Sequence, residues 1–196
     1  MIDHSIYWNK GLSYQDYRNL IDSLLAENKT SGLDHSPGML DYTKMNVQRM
    51  KRHEKTFVAM PELLEKLKGL ESPEKWLVIT EAWCGDAAQN IPQMQKLAEN
   101  SNGKVEFRLV FRDENLELMD AYLTNGVSRS IPILIRLNAL TFEPLGHWGP
   151  RPLEAQQLFI DGKKNNTPGS ELKEALHLWY ARNKSENLQQ ELLAFY

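Results

Sequence analysis

The residue best suited to reactive chemistry is Cys84, the one cysteine in this sequence of 196 residues. It lies in the motif Trp83-Cys84-Gly85-Asp86-Ala87, between an apolar run typical of a buried strand and a segment with helical spacing. A cysteine at a helix start lies beside backbone amides that lack hydrogen-bond partners, and these stabilise a thiolate. The position therefore predicts a reactive thiol. The alternative is that Cys84 is a small buried apolar residue, as many free cysteines are.

The surrounding sequence limits what this thiol can do. A single cysteine forms no disulfide within the chain and no thiolate cluster for zinc, so Cys84 acts alone or with another molecule. Asp86 sets a negative charge near the sulfur and disfavours the thiolate, although an acid in the first turn also stabilises a helix. The five histidines include no pair four residues apart, and we expect no metal site.

The composition is that of a globular protein. Apolar residues make up 41% and charged residues 25% of the chain, whose length suits one domain with an added helical part. The formal net charge of -3 gives no basic field for nucleic acid or an anionic membrane. Neither a secretion signal nor an apolar run near the roughly 18 residues of a membrane span is found. We expect a cytoplasmic protein that binds neither nucleic acid nor membrane, and we leave its oligomeric state open.

Residues 1–72 predict an N-terminal helical extension. Ser13 followed by Asp16 is typical of a helix start, and apolar residues then recur at three- and four-residue spacing. Further helices are predicted over residues 39–55 and from Pro61 onward. About 70 residues of largely helical chain thus precede the first strand.

Residues 73–168 predict a mixed α/β domain. A strand at 76–79, a helix at 87–100 and a strand at 105–111 form a unit with a parallel strand pair. Residues 169–196 predict a C-terminal helical extension that packs on this domain. The other predicted elements are a short helix at 115–123, strands at 133–137 and 141–145, and helices at 152–160 and 170–182.

Three motifs resemble those of the thioredoxin-like superfamily. Trp83-Cys84-Gly85 is similar to the active-site start of thioredoxins, with Ala87 in place of their second, resolving cysteine. Pro92 falls where thioredoxins carry a helix-kinking proline, and Ile131-Pro132 resembles their cis-proline segment. The resemblance implies a thioredoxin-like fold, a central mixed sheet flanked by helices, in a bacterial subgroup with a single-cysteine motif and helical extensions.

The resemblance also implies roles for individual residues. Cys84 would attack a disulfide, and the backbone beside Pro132 would pair with an extended substrate. Ala87 cannot release a mixed disulfide, so a second, external thiol must do so. Val78 stands where thioredoxins bury an acid, which removes their usual means of proton handling. The residues expected to bind substrate are Trp83, Gly85, Asp86, Ala87, Ile131 and Pro132.

Three functions are consistent with these residues. The first is monothiol thiol-disulfide exchange by Cys84 with a thiol- or disulfide-bearing protein or small thiol; glutathione or another low-molecular-weight thiol is the co-substrate, with no bound cofactor. The second is a catalytically silent module that binds an extended peptide, which the missing thiol and acid favour. The third is a redox sensor in which Cys84 is oxidised and capped. A thiol pKa well below about 8.5 favours a thiolate-based role.

A basic stretch offers a further candidate site. Residues 49–55 could bind a phosphate or the carboxylates of glutathione, or form only a solvated helix face. If the helix over 39–55 lies beside Cys84, its cations would stabilise the thiolate and shape a pocket.

Apolar and aromatic residues offer two weaker candidates. Met39, Met45 and Met50 either line a soft binding groove or fill the core. His147 and Trp148 either border the substrate groove or pack against neighbouring elements.

Overall fold

A computed structural model describes residues 2–196 of the chain. Within these residues it contains nine helices and four strands. The sequence predicts the four strands and seven of the helices by position, places the last helix only within the C-terminal helical extension, and misses the first helix. In chain order they are α1 (His4–Lys10), α2 (Tyr14–Ala26), α3 (Pro37–Thr56), α4 (Pro61–Lys68), β1 (Glu74–Thr80), α5 (Gly85–Glu99), β2 (Val105–Phe111), α6 (Leu116–Asp120), β3 (Ile133–Asn138), β4 (Pro144–Trp148), α7 (Leu153–Lys164), α8 (Gly169–Asn183) and α9 (Glu186–Leu193).

The four strands form one mixed sheet in the order β2-β1-β3-β4. Strand β1 pairs in parallel with β2 and antiparallel with β3, while β3 and β4 are antiparallel. Residues Trp76 to Thr80 of β1 are buried, since this strand has neighbours on both edges and helices on both faces. This confirms the predicted fold class, a mixed sheet flanked by helices.

Helix starts follow the local signals in the sequence. The Ser13 side chain accepts a hydrogen bond from the Asp16 N–H at 3.1 Å and so caps α2. Pro37 and Pro61 begin α3 and α4, where a missing N–H costs nothing because the first turn leaves it unpaired. Helix α1 is the element that the sequence analysis missed; Asp3 caps it by accepting from the Ser5 N–H.

Strand β4 begins three residues later than predicted. The sequence predicts a strand at 141–145, but β4 spans Pro144–Trp148. The side chain of Asn138 accepts hydrogen bonds from the N–H groups of Leu140 and Thr141, which commits residues 139–143 to the turn. The hairpin link is therefore longer than the tight connection expected at Asn138-Ala139.

The two extensions pack on the domain and on each other. Leu12 exchanges two backbone hydrogen bonds with Leu109, which covers part of the free edge of β2. Helix α3 packs along α5, α4 contacts α9, and α7 contacts α8. The start of α5 thereby lies between elements from both ends of the chain, which the site below requires.

A buried ion pair stabilises the end of the sheet opposite to Cys84. Arg136 donates two hydrogen bonds to Glu74, at 2.5 and 2.9 Å, and both side chains are at least 94% buried. Trp76 and Tyr196 donate to the same carboxylate at 3.0 and 3.1 Å. The rings of Phe195 and Tyr196 stack on the Arg136 guanidinium and close this end of the sheet.

Two kinds of feature are not found in the part of the chain that the structure describes. No helix there has the length and apolar character needed to cross a membrane. No group of three or more metal-ligating side chains comes together there either.

Candidate functional site

Cys84 occupies the N-cap position at the start of α5, as its position in the sequence predicts. The chain leaves β1 at Thr80, and the Cys84 N–H donates to the Glu81 carbonyl at 3.1 Å. The Cys84 carbonyl then accepts the first helical hydrogen bond from Ala88. Helix α5 begins two residues before the predicted start and contains Pro92.

The bond between Ile131 and Pro132 is cis, as predicted, and it lies beside the sulfur. Cys84 Sγ donates to the Ile131 carbonyl at 3.3 Å. A second cis bond, Gly149-Pro150, was not expected from the sequence. Gly149 has φ of +133°, and a Cβ there would lie 2.2 Å from the Pro132 carbonyl oxygen, so this close contact requires glycine.

The pKa of the Cys84 thiol is raised, although a position at a helix start favours the thiolate. Burial is the first cause and the charge of Asp86 the second, and together they raise the pKa of Cys84 to about 12. The N–H groups of Ala87 and Asp86 and the charge of Arg151 act in the opposite direction but are outweighed. Asp86 thus disfavours the thiolate, as expected, and burial does so more strongly.

Asp86 also connects the start of α5 to the C-terminal part of the chain. Arg151 donates to one carboxylate oxygen at 2.5 Å, and the Tyr180 hydroxyl donates to the other at 2.8 Å. Asn90 donates to the Tyr180 oxygen at 3.1 Å and to the Asp86 carbonyl at 2.8 Å. One carboxylate therefore holds α5, α8 and the loop before α7 together.

A cavity of about 420 Å³ opens beside the sulfur. Of the predicted site residues, five line it, while Ala87 and Pro132 are buried behind its wall in α5 and the core. The residues that line the cavity are Tyr42, Arg49, Trp83, Cys84, Gly85, Asp86, Arg112, Ser128, Arg129, Ser130, Ile131, Arg151, Phe159, Lys173, Leu176, His177 and Tyr180.

A family model described as thioredoxin matches residues 32–166, well over half of the chain. The chain belongs to this thioredoxin family. Because the match begins at residue 32, it includes α3 and α4 of the N-terminal extension as well as the sheet.

Two solved structures are similar to this thioredoxin-family protein over nearly their whole length. A protein of unknown function from Pseudomonas aeruginosa is 17% identical, with a TM-score of 0.64, and the match covers 100% of this chain and 97% of the Pseudomonas aeruginosa chain. An HIV epitope scaffold is 17% identical, with a TM-score of 0.55, covering 94% of this chain and 97% of its own. At this identity the similarity shows the fold alone. Among curated proteins, none matches the chain.

Helices α3 and α8 lie close to Gly85, the residue after Cys84, in this thioredoxin-family protein. A Cβ at Gly85 would lie 3.4 Å from the His177 ring and 3.8 Å from Arg49 Nη1. Tyr42 and Arg49 of α3 line the cavity together with Cys84, which is the arrangement that the sequence analysis considered for the helix over 39–55. Burial raises the pKa of Cys84, and the cation that acts against this is Arg151 of the loop before α7, not a residue of α3.

The basic stretch 49–55 does not act as one patch. Only Arg49 lines the cavity beside Cys84. His53 is buried and hydrogen-bonds to Gln89 and Gln93 of α5, and its pKa is lowered mainly by burial. Because α3 turns about 100° per residue, successive basic residues face different surroundings.

The other candidates of the sequence analysis lie outside the cavity. Met50 is buried in the core, whereas Met45 is exposed on the same helix, so no continuous methionine groove forms. His147 packs edge-on against Tyr122, with ring centroids 5.4 Å apart, and Trp148 is buried.

A buried acid does lie near the motif, although not at the position expected from thioredoxins. Val78 is fully buried in the core, but Glu81, three residues before Cys84, is also fully buried. Its Oε1 accepts a hydrogen bond from the Asp113 N–H at 3.0 Å, and burial raises the pKa of Glu81. The sequence analysis missed this residue because it compared only the aligned position 78.

Proposed function

We propose that this thioredoxin-family protein performs thiol-disulfide exchange with Cys84 as its single thiol and with an external small thiol completing the cycle. The observation that supports this most directly is the place of Sγ. It lies at the start of α5, on the wall of an open cavity, and 3.3 Å from the carbonyl that precedes the cis Pro132.

The exchange needs two nucleophilic displacements. Cys84 first loses its proton to solvent, and the thiolate attacks one sulfur of a disulfide; the Sγ–S bond forms, the original S–S bond breaks, and the leaving thiolate takes up a proton. A second, external thiolate then attacks the mixed disulfide on the substrate sulfur and releases Cys84. Since Ala87 carries no thiol, the protein itself cannot supply this second step.

In this structure the sulfur of Cys84 is a slow nucleophile. Because burial and the charge of Asp86 raise the pKa of Cys84, only a small fraction of the thiol is ionised at pH 7. The hydrogen bond from Sγ to the Ile131 carbonyl adds to this, because it favours the neutral thiol. A substrate whose own N–H donates to that carbonyl would displace the thiol and remove this stabilisation of the protonated form.

A second candidate is a peptide-binding module without turnover. The high pKa of Cys84 and the alanine at position 87 favour it. The redox-sensor hypothesis requires a thiol with high thiolate character, and the burial of Cys84 disfavours it.

Formation of a mixed disulfide separates these functions. We expect the intact mass of the protein to increase by one half-disulfide on incubation with hydroxyethyl disulfide at pH 8.5, and the adduct to disappear when reduced small thiol is added. The Cys84→Ser variant provides the matched control and should show no adduct. A folded protein whose Cys84 stays unmodified after prolonged incubation would support the binding module and contradict exchange.

The pH dependence of adduct formation tests the buried state of the thiol. Since the thiolate attacks and the pKa of Cys84 is raised to about 12, the rate should rise about tenfold per pH unit from pH 7 to 10. The rate for an ordinary accessible thiol levels off above about pH 8.5, and the rate for the protein unfolded in denaturant should do the same. A plateau below pH 8.5 in the folded protein would contradict the raised pKa.

A further inference from the structure

The cavity beside Cys84 carries more positive charge than its acidic neighbours balance. Asp86 is the one carboxylate among its lining residues, and it pairs with Arg151. Two further arginines pair with acids at its margin, Arg112 with Asp113 and Arg129 with Asp120. The two remaining cations, Arg49 and Lys173, form no ion pair with any residue from 2 to 196.

Arg49 is held in place by neutral partners only. Its Nη1 donates to the Asn46 side chain at 2.8 Å, and Asn46 is itself anchored to the Ala82 carbonyl at 3.0 Å. Its Nη2 lies 3.0 Å from His177 Nε2. Burial, followed by the charge of Arg52, lowers the pKa of Arg49. A half-buried guanidinium that is positioned but not neutralised is suited to bind a carboxylate.

His177 and Arg151 also retain unused donors next to this cavity. Since an arginine only donates, His177 Nε2 accepts from Arg49, and the ring proton lies on Nδ1. That atom is buried without a hydrogen-bond partner in the described chain, and so is Nε of Arg151, whose side chain is 10% exposed. Buried donors without partners are costly, and a ligand with acceptor oxygens would satisfy them.

Lys173 lies on the opposite wall and bridges the two extensions. Its Nζ donates to the Tyr42 hydroxyl at 2.6 Å and lies 4.4 Å from the centre of that ring. Tyr42 and Arg49 are seven residues apart on α3, and Lys173 and His177 are four apart on α8, so each pair shares one helix face. The two faces meet across the cavity and present both unpaired cations to it.

The part of the wall beside the sulfur is largely apolar. Trp83, Phe159 and Leu176 line the cavity together with Cys84. Its volume of about 420 Å³ lies within the range of small-molecule sites, roughly 300–1,000 Å³. A ligand that fits must therefore be small, carry acceptor oxygens at one end and place a less polar part near Cys84.

We propose that the cavity binds a low-molecular-weight thiol that bears carboxylates, with these held by Arg49 and Lys173 and its sulfur directed to Cys84. This inference rests on the proposed function for the role of the sulfur, but the anion site itself does not depend on exchange. The selectivity would come from α3 and α8 of the extensions, and not from the cysteine motif.

Binding can be measured without any exchange. In the full-length Cys84→Ala variant, we expect calorimetry to detect S-methylglutathione, which has two carboxylates and no free thiol, with an affinity that falls as salt increases. Lys173→Gln, at an exposed side chain, and Arg49→Gln should each weaken binding about tenfold or more. Arg49→Lys should retain part of the affinity. Lys66→Gln, which removes an exposed charge from α4, is the matched control and should leave binding unchanged.

Exchange rates distinguish failure of this inference from failure of the proposed function. With Cys84 present, the rate of mixed-disulfide formation should be highest with glutathione disulfide, lower with hydroxyethyl disulfide and lowest with cystamine, which is cationic. In Lys173→Gln the three rates should converge. Equal rates in the native protein, or no binding of S-methylglutathione, would overturn the anion site while leaving exchange intact. Binding without an adduct from any disulfide would overturn exchange and support the anion site.

Discussion

Two carboxylates in this protein each pair with a buried arginine and a tyrosine, and they lie toward opposite ends of β1. Glu74 begins the strand and is held by Arg136, Trp76 and Tyr196. Asp86 follows the other end and is held by Arg151 and Tyr180. The local chemistry is the same in both places, but the surroundings differ.

The difference lies in what covers each arginine. Two aromatic rings stack on Arg136, and its pair with Glu74 is sealed from water. Arg151 instead faces a cavity, keeps an unpartnered Nε, and has further cations nearby. A buried network contributes to stability when all of its members are satisfied, and unsatisfied members are typical of sites that bind something else. The sealed pair, Glu74 and Arg136, therefore stabilises the sheet, and the open pair, Asp86 and Arg151, borders the cavity that we propose as a ligand site.

The largest effect is expected from breaking the sealed pair. Arg136→Ala leaves Glu74 as an uncompensated buried charge and removes the platform for the two C-terminal rings, so the free energy of unfolding should fall by about 3–5 kcal/mol. Urea unfolding followed by circular dichroism measures this. Lys96→Ala, which removes one partner of an exposed pair on α5, should change stability by at most about 0.5 kcal/mol. A loss below about 1 kcal/mol in Arg136→Ala would mean that the pair does not hold the sheet together.

The sequence predicts the local parts of this architecture well. The run Trp76-Leu77-Val78-Ile79 becomes the central strand, and Ser13, Pro37 and Pro61 begin helices, because these signals depend on residues close in the chain. The motif around Cys84 and the cis Pro132 come together as expected, since antiparallel pairing brings the end of β1 and the start of β3 to the same end of the sheet.

The sequence does not predict the cavity, because its walls come from distant parts of the chain. Arg49 and His177 are 128 residues apart and meet only after both extensions have packed. The motif does not predict the pKa of Cys84 for the same reason: it shows the helix amides and Asp86, but the burial that dominates comes from tertiary contacts. Asp86 was recognised as a charge near sulfur, whereas its partners Arg151 and Tyr180 carried no local signal.

At the open pair of Asp86 and Arg151, we expect a smaller effect on stability but a clear effect on the reactivity of Cys84. Asp86→Asn keeps acceptor and donor atoms for Tyr180 and Arg151, so the free energy of unfolding should fall by about 1–3 kcal/mol, less than in Arg136→Ala. At the same time the pKa of Cys84 should fall, because the charge of Asp86 raises it and that of Arg151 lowers it.

The change in reactivity is measured as the rate of mixed-disulfide formation at pH 8.5. The rate should increase in Asp86→Asn, by about tenfold for each unit that the pKa of Cys84 decreases. Asp113→Asn makes the same change of charge at the cavity margin, where it has no comparable effect on the sulfur, and should leave the rate unchanged. A rate that stays constant or drops in Asp86→Asn would show that burial alone keeps the thiol protonated.

The smallest effect on stability is expected when the hydroxyl of Tyr180 or of Tyr196 is removed. Tyr180→Phe removes the hydroxyl that donates to Asp86 at 2.8 Å, and Tyr196→Phe removes the one that donates to Glu74 at 3.1 Å. Glu74 keeps donors from Arg136 and Trp76, whereas one oxygen of Asp86 loses its side-chain donor. Urea unfolding should show a loss of about 1–2 kcal/mol for Tyr180→Phe and about 1 kcal/mol or less for Tyr196→Phe, since a shared acceptor is better compensated. The opposite ranking would mean that water entering from the cavity replaces the Tyr180 hydroxyl without cost, and the open pair would then contribute to the site alone and not to the fold.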